Sequence, residues 1–192
     1  MSLRRPVLSV PLLSLVLTAA LATVAAPAYA DATSSAAASK KHCVLDAGSA
    51  TPACYATFPA AISAATRGLV KAPATPAAAA ADPSFATELA AAGTQAATWV
   101  VGVEWTNASW TGTSLTLRAS GPCDNSLDAD YVWNTLPAGW NDVITSFRSY
   151  NNCAQQLFRN TYRGGGSLTG ILTSTPNVGA PANDQASSLT AN

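Results

Sequence analysis

The sequence predicts a mainly all-β fold in its second half, preceded by a short helical region that is closed by a disulfide. Two observations predict this division. Beyond Thr98, the residues Trp, Val, Thr and Gly replace the helix formers, and turn residues recur at short spacing, which is typical of β structure. The second half also repeats a two-part pattern in the same order, once from residue 105 and once from residue 157.

The first thirty residues have the features of a secretory signal peptide. Arg4 and Arg5 precede an apolar run over residues 7–26, and Ala28-Tyr29-Ala30 has the small-x-small pattern of a cleavage site. A membrane helix is the alternative, but no basic flank follows the run to stop its transfer. We therefore expect residues 1–30 to be removed and the mature chain to be soluble and extracellular.

The charge balance excludes two classes of partner. The chain has 10 Lys and Arg against 10 Asp and Glu, so removal of Arg4 and Arg5 leaves 8 against 10, a formal charge of about −2. Nucleic acids and acidic membrane surfaces are bound through clustered Lys and Arg. Neither is an expected partner of this chain.

Four cysteines lie in the exported part, and an even number in an oxidising compartment indicates two disulfides. Three pairings are possible. We favour Cys43 with Cys54 and Cys123 with Cys153, because each bridge then closes its own region. A zinc site is the alternative, but the cysteines lack the close spacing that such sites use.

The segments before the β region are short. Residues 31–42 are small and polar and predict a flexible arm. Residues 43–71 predict a Cys-bounded loop followed by a short helix that starts near Pro59 and stops at Gly68. Residues 72–82 are mostly Ala and Pro and predict a linker.

A second short helix is predicted over residues 83–96, since Asp82 can cap it and Pro83 suits its first turn. Residues 97–192 then remain for the β domain. Nothing in residues 43–93 identifies a partner.

The repeated pattern has an opening part and a closing part. The opening parts are Trp105–Gly112 followed by Ser114-Leu-Thr116, and Leu157–Gly164 followed by Ser167-Leu-Thr169. The closing parts are the hexapeptides Asn141-Asp-Val-Ile-Thr-Ser146 and Asn183-Asp-Gln-Ala-Ser-Ser188.

An opening aromatic-x4-aromatic-x-Gly and a closing Asn/Asp-Asn/Asp-x-x-Ser/Thr-Ser resemble the Greek-key motif of microbial, calcium-binding βγ-crystallins. The resemblance covers residues 99–192 and implies two Greek keys packed as a sandwich. In this alignment Leu157 replaces the first aromatic of the second copy, and Gly164-Gly165-Gly166 adds one residue. The first copy also has about ten extra residues around Cys123–Asp130.

The resemblance further implies two calcium sites that exchange ligands between the copies. The first site would take Asp142, the Gln185 carbonyl and Ser187. The second would take Asp184, the Val143 carbonyl and Thr145. Carboxylate, carbonyl and hydroxyl oxygens are the ligands that Ca²⁺ prefers, although the same residues also form ordinary turns.

The other residues of the motif are expected to be structural. Trp105, Trp110 and Tyr162 are predicted to pack in the core. Ser146 and Ser188 are predicted to hydrogen-bond the fold-back of each copy rather than a metal ion.

No catalytic motif is present. His42 is the only histidine, and Glu88 and Glu104 are the only glutamates, so a triad or a histidine metal centre has no basis. We expect a calcium-binding protein with a structural role and no enzymatic activity. Inhibition of a secreted peptidase is the alternative, because metalloproteinase inhibitors of similar fold are exported by bacteria. The contact segment would then be Asp124–Asp128, in the insertion between Cys123 and Asn134.

Overall fold

The computed structural model describes residues 41–192, and these belong to one compact unit. The predicted signal peptide and residues 31–40 of the predicted arm lie outside the described residues. The helices are α1 (Phe58–Ala65), α2 (Pro76–Ala81) and α3 (Pro83–Ala96). The strands are β1 (His42–Asp46), β2 (Ala53–Tyr55), β3 (Trp99–Asn107), β4 (Thr111–Ala119), β5 (Tyr131–Trp133), β6 (Ser146–Ser149), β7 (Gln155–Phe158), β8 (Ser174–Thr175) and β9 (Ser188–Ala191).

The strands form two sheets. The six-stranded sheet has the order β2-β1-β4-β3-β6-β8, and the three-stranded sheet has the order β5-β9-β7. All pairs are antiparallel except β1 with β4, which is parallel. The β content predicted beyond Thr98 is confirmed, and none of the helices within residues 41–192 is long and apolar enough to cross a bilayer.

The main core lies between the two sheets. Side chains alternate along a strand, so β4 directs Leu115 and Leu117 into this core and turns Ser114 and Thr116 to the opposite face. Leu157 and Leu189 of the three-stranded sheet and Phe147 of β6 are fully buried against them. This core holds the two repeat copies together.

A second core lies on the outer face of the six-stranded sheet, beneath the helices. Its members are buried aromatic and aliphatic side chains that come from both layers. From the helices these are Phe58, Ile62, Phe85 and Leu89, from the sheet Val100, Val103 and Trp105, and from the residue after β6 Tyr150. The helical region therefore covers an apolar face of the β domain that water would otherwise contact.

The helices begin where the sequence supplies caps. The Thr57 hydroxyl accepts a hydrogen bond from the Ala60 amide, and the Asp82 carboxylate accepts one from the Ser84 amide. Proline occupies the first turn of all three helices, where no intrahelical donor is needed.

The structure differs from the sequence prediction at two points before the β domain. The predicted linker of residues 72–82 contains α2, which Thr75 caps and whose alanines have the highest helix propensity. His42, assigned to the flexible arm, lies in β1, and its Nδ1 is 2.9 Å from the Ser114 hydroxyl. Strand pairing to a distant segment orders this residue, and a local composition rule cannot detect such pairing.

Both disulfides are present in the favoured pairing, Cys43–Cys54 and Cys123–Cys153. Cys43 and Cys54 lie directly opposite each other in the β1–β2 pair, so the predicted Cys-bounded loop is a hairpin. The second bridge connects the segment after β4 to the segment before β7, and both its cysteines are buried in the main core.

Candidate metal site

The two hexapeptides lie side by side and hydrogen-bond each other. The Asp142 amide donates to the Ala186 carbonyl at 2.9 Å, and the Asp184 amide donates to the Ile144 carbonyl at 3.3 Å. Both aspartates adopt the left-handed conformation, with φ of 55° and 54°. The two copies are therefore related by an approximate twofold arrangement at this point.

This arrangement brings each aspartate to the hydroxyl of the other copy. The Ser187 hydroxyl lies 3.3 Å from Asp142 Oδ1, and the Thr145 hydroxyl lies 3.3 Å from Asp184 Oδ1. In each pair the aspartate comes from one copy and the hydroxyl from the other, as the resemblance implies. Both aspartates are exposed, Thr145 is half-buried, and Ser187 is 8% exposed.

The asparagine before each aspartate fixes the other carboxylate oxygen. Asn141 Nδ2 donates to Asp142 Oδ2 at 2.7 Å, and Asn183 Nδ2 donates to Asp184 Oδ2 at 2.9 Å. These bonds leave the Oδ1 atoms directed toward the hydroxyls. A hydrogen-bonded carboxylate with one oxygen still available is suited to bind a cation through that oxygen.

The oxygen spacing fits a calcium ion. Two ligands that subtend a right angle at an ion 2.3–2.6 Å away are about 3.3–3.7 Å apart. The measured separation of carboxylate and hydroxyl oxygens is 3.3 Å in both copies. The donors are hard oxygens. Within residues 41–192 no three His, Cys, Asp or Glu side chains converge on one point, so carbonyl and hydroxyl oxygens would have to supply the remaining ligands of any bound ion.

A further oxygen near the second site was not identified from the sequence. The Thr145 hydroxyl also donates to the Thr106 carbonyl at 2.9 Å, so this carbonyl lies next to the Thr145–Asp184 pair. Val143 and Gln185, whose carbonyls the resemblance assigns as ligands, follow the two aspartates directly in the chain. A main-chain oxygen such as the Thr106 carbonyl leaves no mark in the residue types.

Ser146 and Ser188 hydrogen-bond the fold-back of each copy, as predicted. The Ser146 hydroxyl donates to the Asn107 carbonyl at 2.6 Å and accepts from the Trp110 amide at 3.2 Å. The Ser188 hydroxyl donates to the Asn160 carbonyl at 2.6 Å and accepts from the Arg163 amide at 3.0 Å. These serines tie each hexapeptide to the opening part of its own copy.

The strand pairing corrects the alignment of the second opening motif. Trp105 lies opposite Ser114 and Ser146, and the residue that lies opposite Ser167 and Ser188 is Phe158. The first aromatic of the second copy is therefore Phe158, and the assignment of Leu157 to that position was wrong.

With this register the two opening parts have equal length. In each copy the left-handed glycine is the seventh residue after the aromatic, Gly112 after Trp105 and Gly165 after Phe158. The run Gly164-Gly165-Gly166 therefore contains no inserted residue relative to the first copy. Arg163 occupies the place of the second aromatic. Tyr162 is 73% exposed, so its predicted place in the core was also wrong.

The two equivalent glycines are required by close approach as well as by conformation. Gly112 has φ +83° and Gly165 has φ +68°. A Cβ atom at Gly112 would lie 2.9 Å from Asn107 Nδ2, and one at Gly165 would lie 2.8 Å from Asn160 Nδ2. The main-chain carbonyl of Asn107 binds Ser146, and that of Asn160 binds Ser188. A side chain at either glycine would therefore displace an asparagine that holds the fold-back in place.

A separate polar group lies in the main core. Glu104 is fully buried, and neither of its carboxyl oxygens has a hydrogen-bond partner in favourable geometry. Burial raises the pKa of Glu104 well above 4.5, and the adjacent Gln155 side chain lowers it by a smaller amount. Gly102 leaves room for this pair, because a Cβ there would overlap Gln155 Nε2.

Known structures that resemble this chain are βγ-crystallin domains. One from Clostridium beijerinckii is 18% identical and matches 47% of this chain and 95% of its own length, with a TM-score of 0.36. One from Flavobacterium johnsoniae is 22% identical over 48% of this chain and 93% of its own, with a TM-score of 0.35. The N-terminal domain of protein S is 14% identical over 48% and 94%, with a TM-score of 0.36. No family model and no curated protein matches the chain.

Proposed function

We propose that this protein is an exported, βγ-crystallin-like module that binds two Ca²⁺ ions and is stabilised by them, without catalysing a reaction. The observation that supports the proposal most directly is the cross-copy pairing of Asp142 with Ser187 and of Asp184 with Thr145, each at 3.3 Å. Hard oxygen ligands at this spacing suit Ca²⁺.

Calcium would stabilise the fold because each ion joins two segments that are distant in the chain. The side-chain ligands are separated by 45 residues in the first site and by 39 in the second. The unfolded chain does not hold these oxygens together, so binding favours the folded state by mass action. Each site has one carboxylate, which favours a modest affinity, on the order of micromolar to sub-millimolar.

Thermal unfolding in calcium and in excess chelator tests the proposal. At free calcium 100 times the dissociation constant, each site adds about 2.7 kcal/mol, which raises the midpoint of a domain of this size by about 5–10 °C. Asp142→Asn and Asp184→Asn should each remove the part of the midpoint increase that one site contributes. Glu88→Gln, which neutralises an exposed carboxylate on α3, is the matched control and should retain the full increase. Equal midpoints with calcium and with chelator would overturn the proposal.

Export belongs to the same proposal. A signal peptide over residues 1–30 would deliver the chain to an oxidising compartment, where Cys43–Cys54 and Cys123–Cys153 form. The mass of the protein recovered from the culture medium tests this step, with cleavage expected after Ala30. A product that retains Arg4 and Arg5, or one that stays inside the cell, contradicts it.

Peptidase inhibition is a second candidate, and the loop after β4 favours it. Leu127 is 79% exposed, and its carbonyl accepts a hydrogen bond of 2.8 Å from Asn192 Nδ2. At its base the Asp124 amide donates to Asp130 Oδ2 at 3.2 Å, beside the bridge from Cys123. A loop restrained in this way presents an apolar side chain at low entropic cost, as a substrate-like inhibitor requires.

Assays of the purified protein against a panel of secreted proteases test this candidate. If the loop is the contact segment, Leu127→Asp should abolish inhibition, and Leu172→Asp, a control leucine that is 40% exposed, should leave it unchanged. No inhibition of any protease at micromolar concentration removes the candidate.

A further inference from the structure

We propose that Arg159 makes the two calcium sites unequal, so that the first site (Asp142, Ser187 and the Gln185 carbonyl) binds Ca²⁺ more weakly than the second (Asp184, Thr145 and the Val143 carbonyl). The inference rests on the proposed calcium function and extends it to the order in which the sites fill.

The Arg159 guanidinium is hydrogen-bonded to the side chain of Gln185, a ligand residue of the first site. Its Nη1 donates to Gln185 Oε1 at 3.0 Å, and Gln185 Nε2 donates to the Asp184 carbonyl at 2.8 Å. The residue before Arg159, Phe158, accepts the Ser187 amide through its carbonyl at 3.0 Å. Arg159 therefore contacts Gln185 directly and follows the residue that binds Ser187.

The second site has no cation in the equivalent place. Because Phe158 corresponds to Trp105, Arg159 corresponds to Thr106, a neutral residue that presents its carbonyl to the Thr145 hydroxyl. At this matched position the two sites differ by one positive charge, and Arg163 in place of Trp110 adds a second positive charge to the same copy.

Within the described part of the chain, no carboxylate neutralises Arg159 by direct contact. Among residues 41–192, the ion pair closer than 4.0 Å is Arg118 with Asp46, far along the chain from either hexapeptide. The charge of Arg159 consequently acts on a divalent ion that approaches Asp142. A fixed cation near a calcium ligand opposes binding, whereas the site itself offers only one compensating carboxylate.

The expected effect is modest and depends on salt. A unit charge about 8 Å from a divalent ion in water opposes binding by a factor of about four at 10 mM ionic strength and about two at 100 mM. The second site should therefore fill first, and the difference should diminish as salt is added.

Calorimetric titration of the purified protein with CaCl₂ tests the inference, with one site removed at a time. Asp184→Asn leaves the first site and Asp142→Asn leaves the second. At low ionic strength the first site alone should have a dissociation constant about four times that of the second alone. The same ratio measured at 100 mM salt should fall to about two, and this comparison requires no change at Arg159.

Substitution of Arg159 then separates its charge from its hydrogen bond. Arg159→Gln removes the charge but keeps a donor for Gln185, and it should tighten the first site about fourfold while leaving the second unchanged. Arg159→Lys keeps the charge and should leave the first site weak. A ratio of one at low salt, or no tightening in the Arg159→Gln variant, overturns the inference and leaves the proposed function intact. Absence of any calcium binding overturns both.

Discussion

Glu104 should make the protein less stable as the pH rises above 4.5. The substitution Glu104→Gln keeps the size of the side chain and removes its ability to ionise. Because Glu104 is fully buried without a partner in favourable geometry, folding favours its neutral form. A glutamine at this position can exchange amide hydrogen bonds with Gln155 and remains neutral at every pH.

The magnitude follows from linkage. The folded-state pKa of Glu104 lies well above the unfolded value of 4.5, so between the two values the folded chain holds a proton that the unfolded chain has lost. The free energy of unfolding therefore falls with pH in this window, by up to about 1.4 kcal/mol for each pH unit. Below pH 4.5 both states are protonated, and this contribution no longer changes with pH.

Urea unfolding at a series of pH values from 4 to 8, in chelator, measures the effect. The stability advantage of Glu104→Gln over the natural chain should increase steadily above pH 4.5, by up to about 1.4 kcal/mol per unit. Glu88→Gln, at an exposed site on α3, should follow the natural chain throughout. Parallel curves for the natural chain and Glu104→Gln across this range would refute the reasoning.

Two further predictions concern the fold. Gly112→Ala should lower the free energy of unfolding in urea by about 1–3 kcal/mol, because φ is left-handed there and the new Cβ would lie 2.5 Å from the Thr106 hydroxyl oxygen. Gly139→Ala has a similar φ of +84° but open space around the Cβ, so its loss should be smaller. Equal losses for the two variants would contradict the role of close packing. A fragment of residues 97–192 should self-associate and bind a hydrophobic dye, because the outer face of the six-stranded sheet loses its helical cover; a monomeric fragment with the melting midpoint of the whole chain would count against this.

Local sequence rules were sufficient for the parts of the structure that depend on local chemistry. The β content beyond Thr98 follows from composition, and the helix beginning at Pro83 follows from the Asp82 cap and the proline itself. The hexapeptides specify turns with exposed aspartates because their polar density is incompatible with a core. Their contact with each other came from the family resemblance, which supplied a long-range pairing that the residues alone do not state.

The features that were missed depend on distant partners. Leu157 and Phe158 are neighbours, and the pairing of Phe158 with Ser188 identifies the correct one. Equal spacing to the following glycine, from Trp105 to Gly112 and from Phe158 to Gly165, is the sequence signal that could have found it. Tyr162 is aromatic, yet its left-handed turn places it in solvent. Residues 76–81 are too uniform in alanine to show an amphipathic pattern, although Ala79 and Ala80 are buried in the structure.

The parallel pairing of β1 with β4 affects the order in which the chain can fold. His42 lies beside Ser114, 72 positions later in the sequence, so the first strand of the sheet has no partner on one side until β4 has been made. Closing so long a loop is entropically costly, and contacts of this separation form late. One edge of the N-terminal strand therefore stays unpaired during synthesis until β4 is available, even after the β1–β2 hairpin has formed.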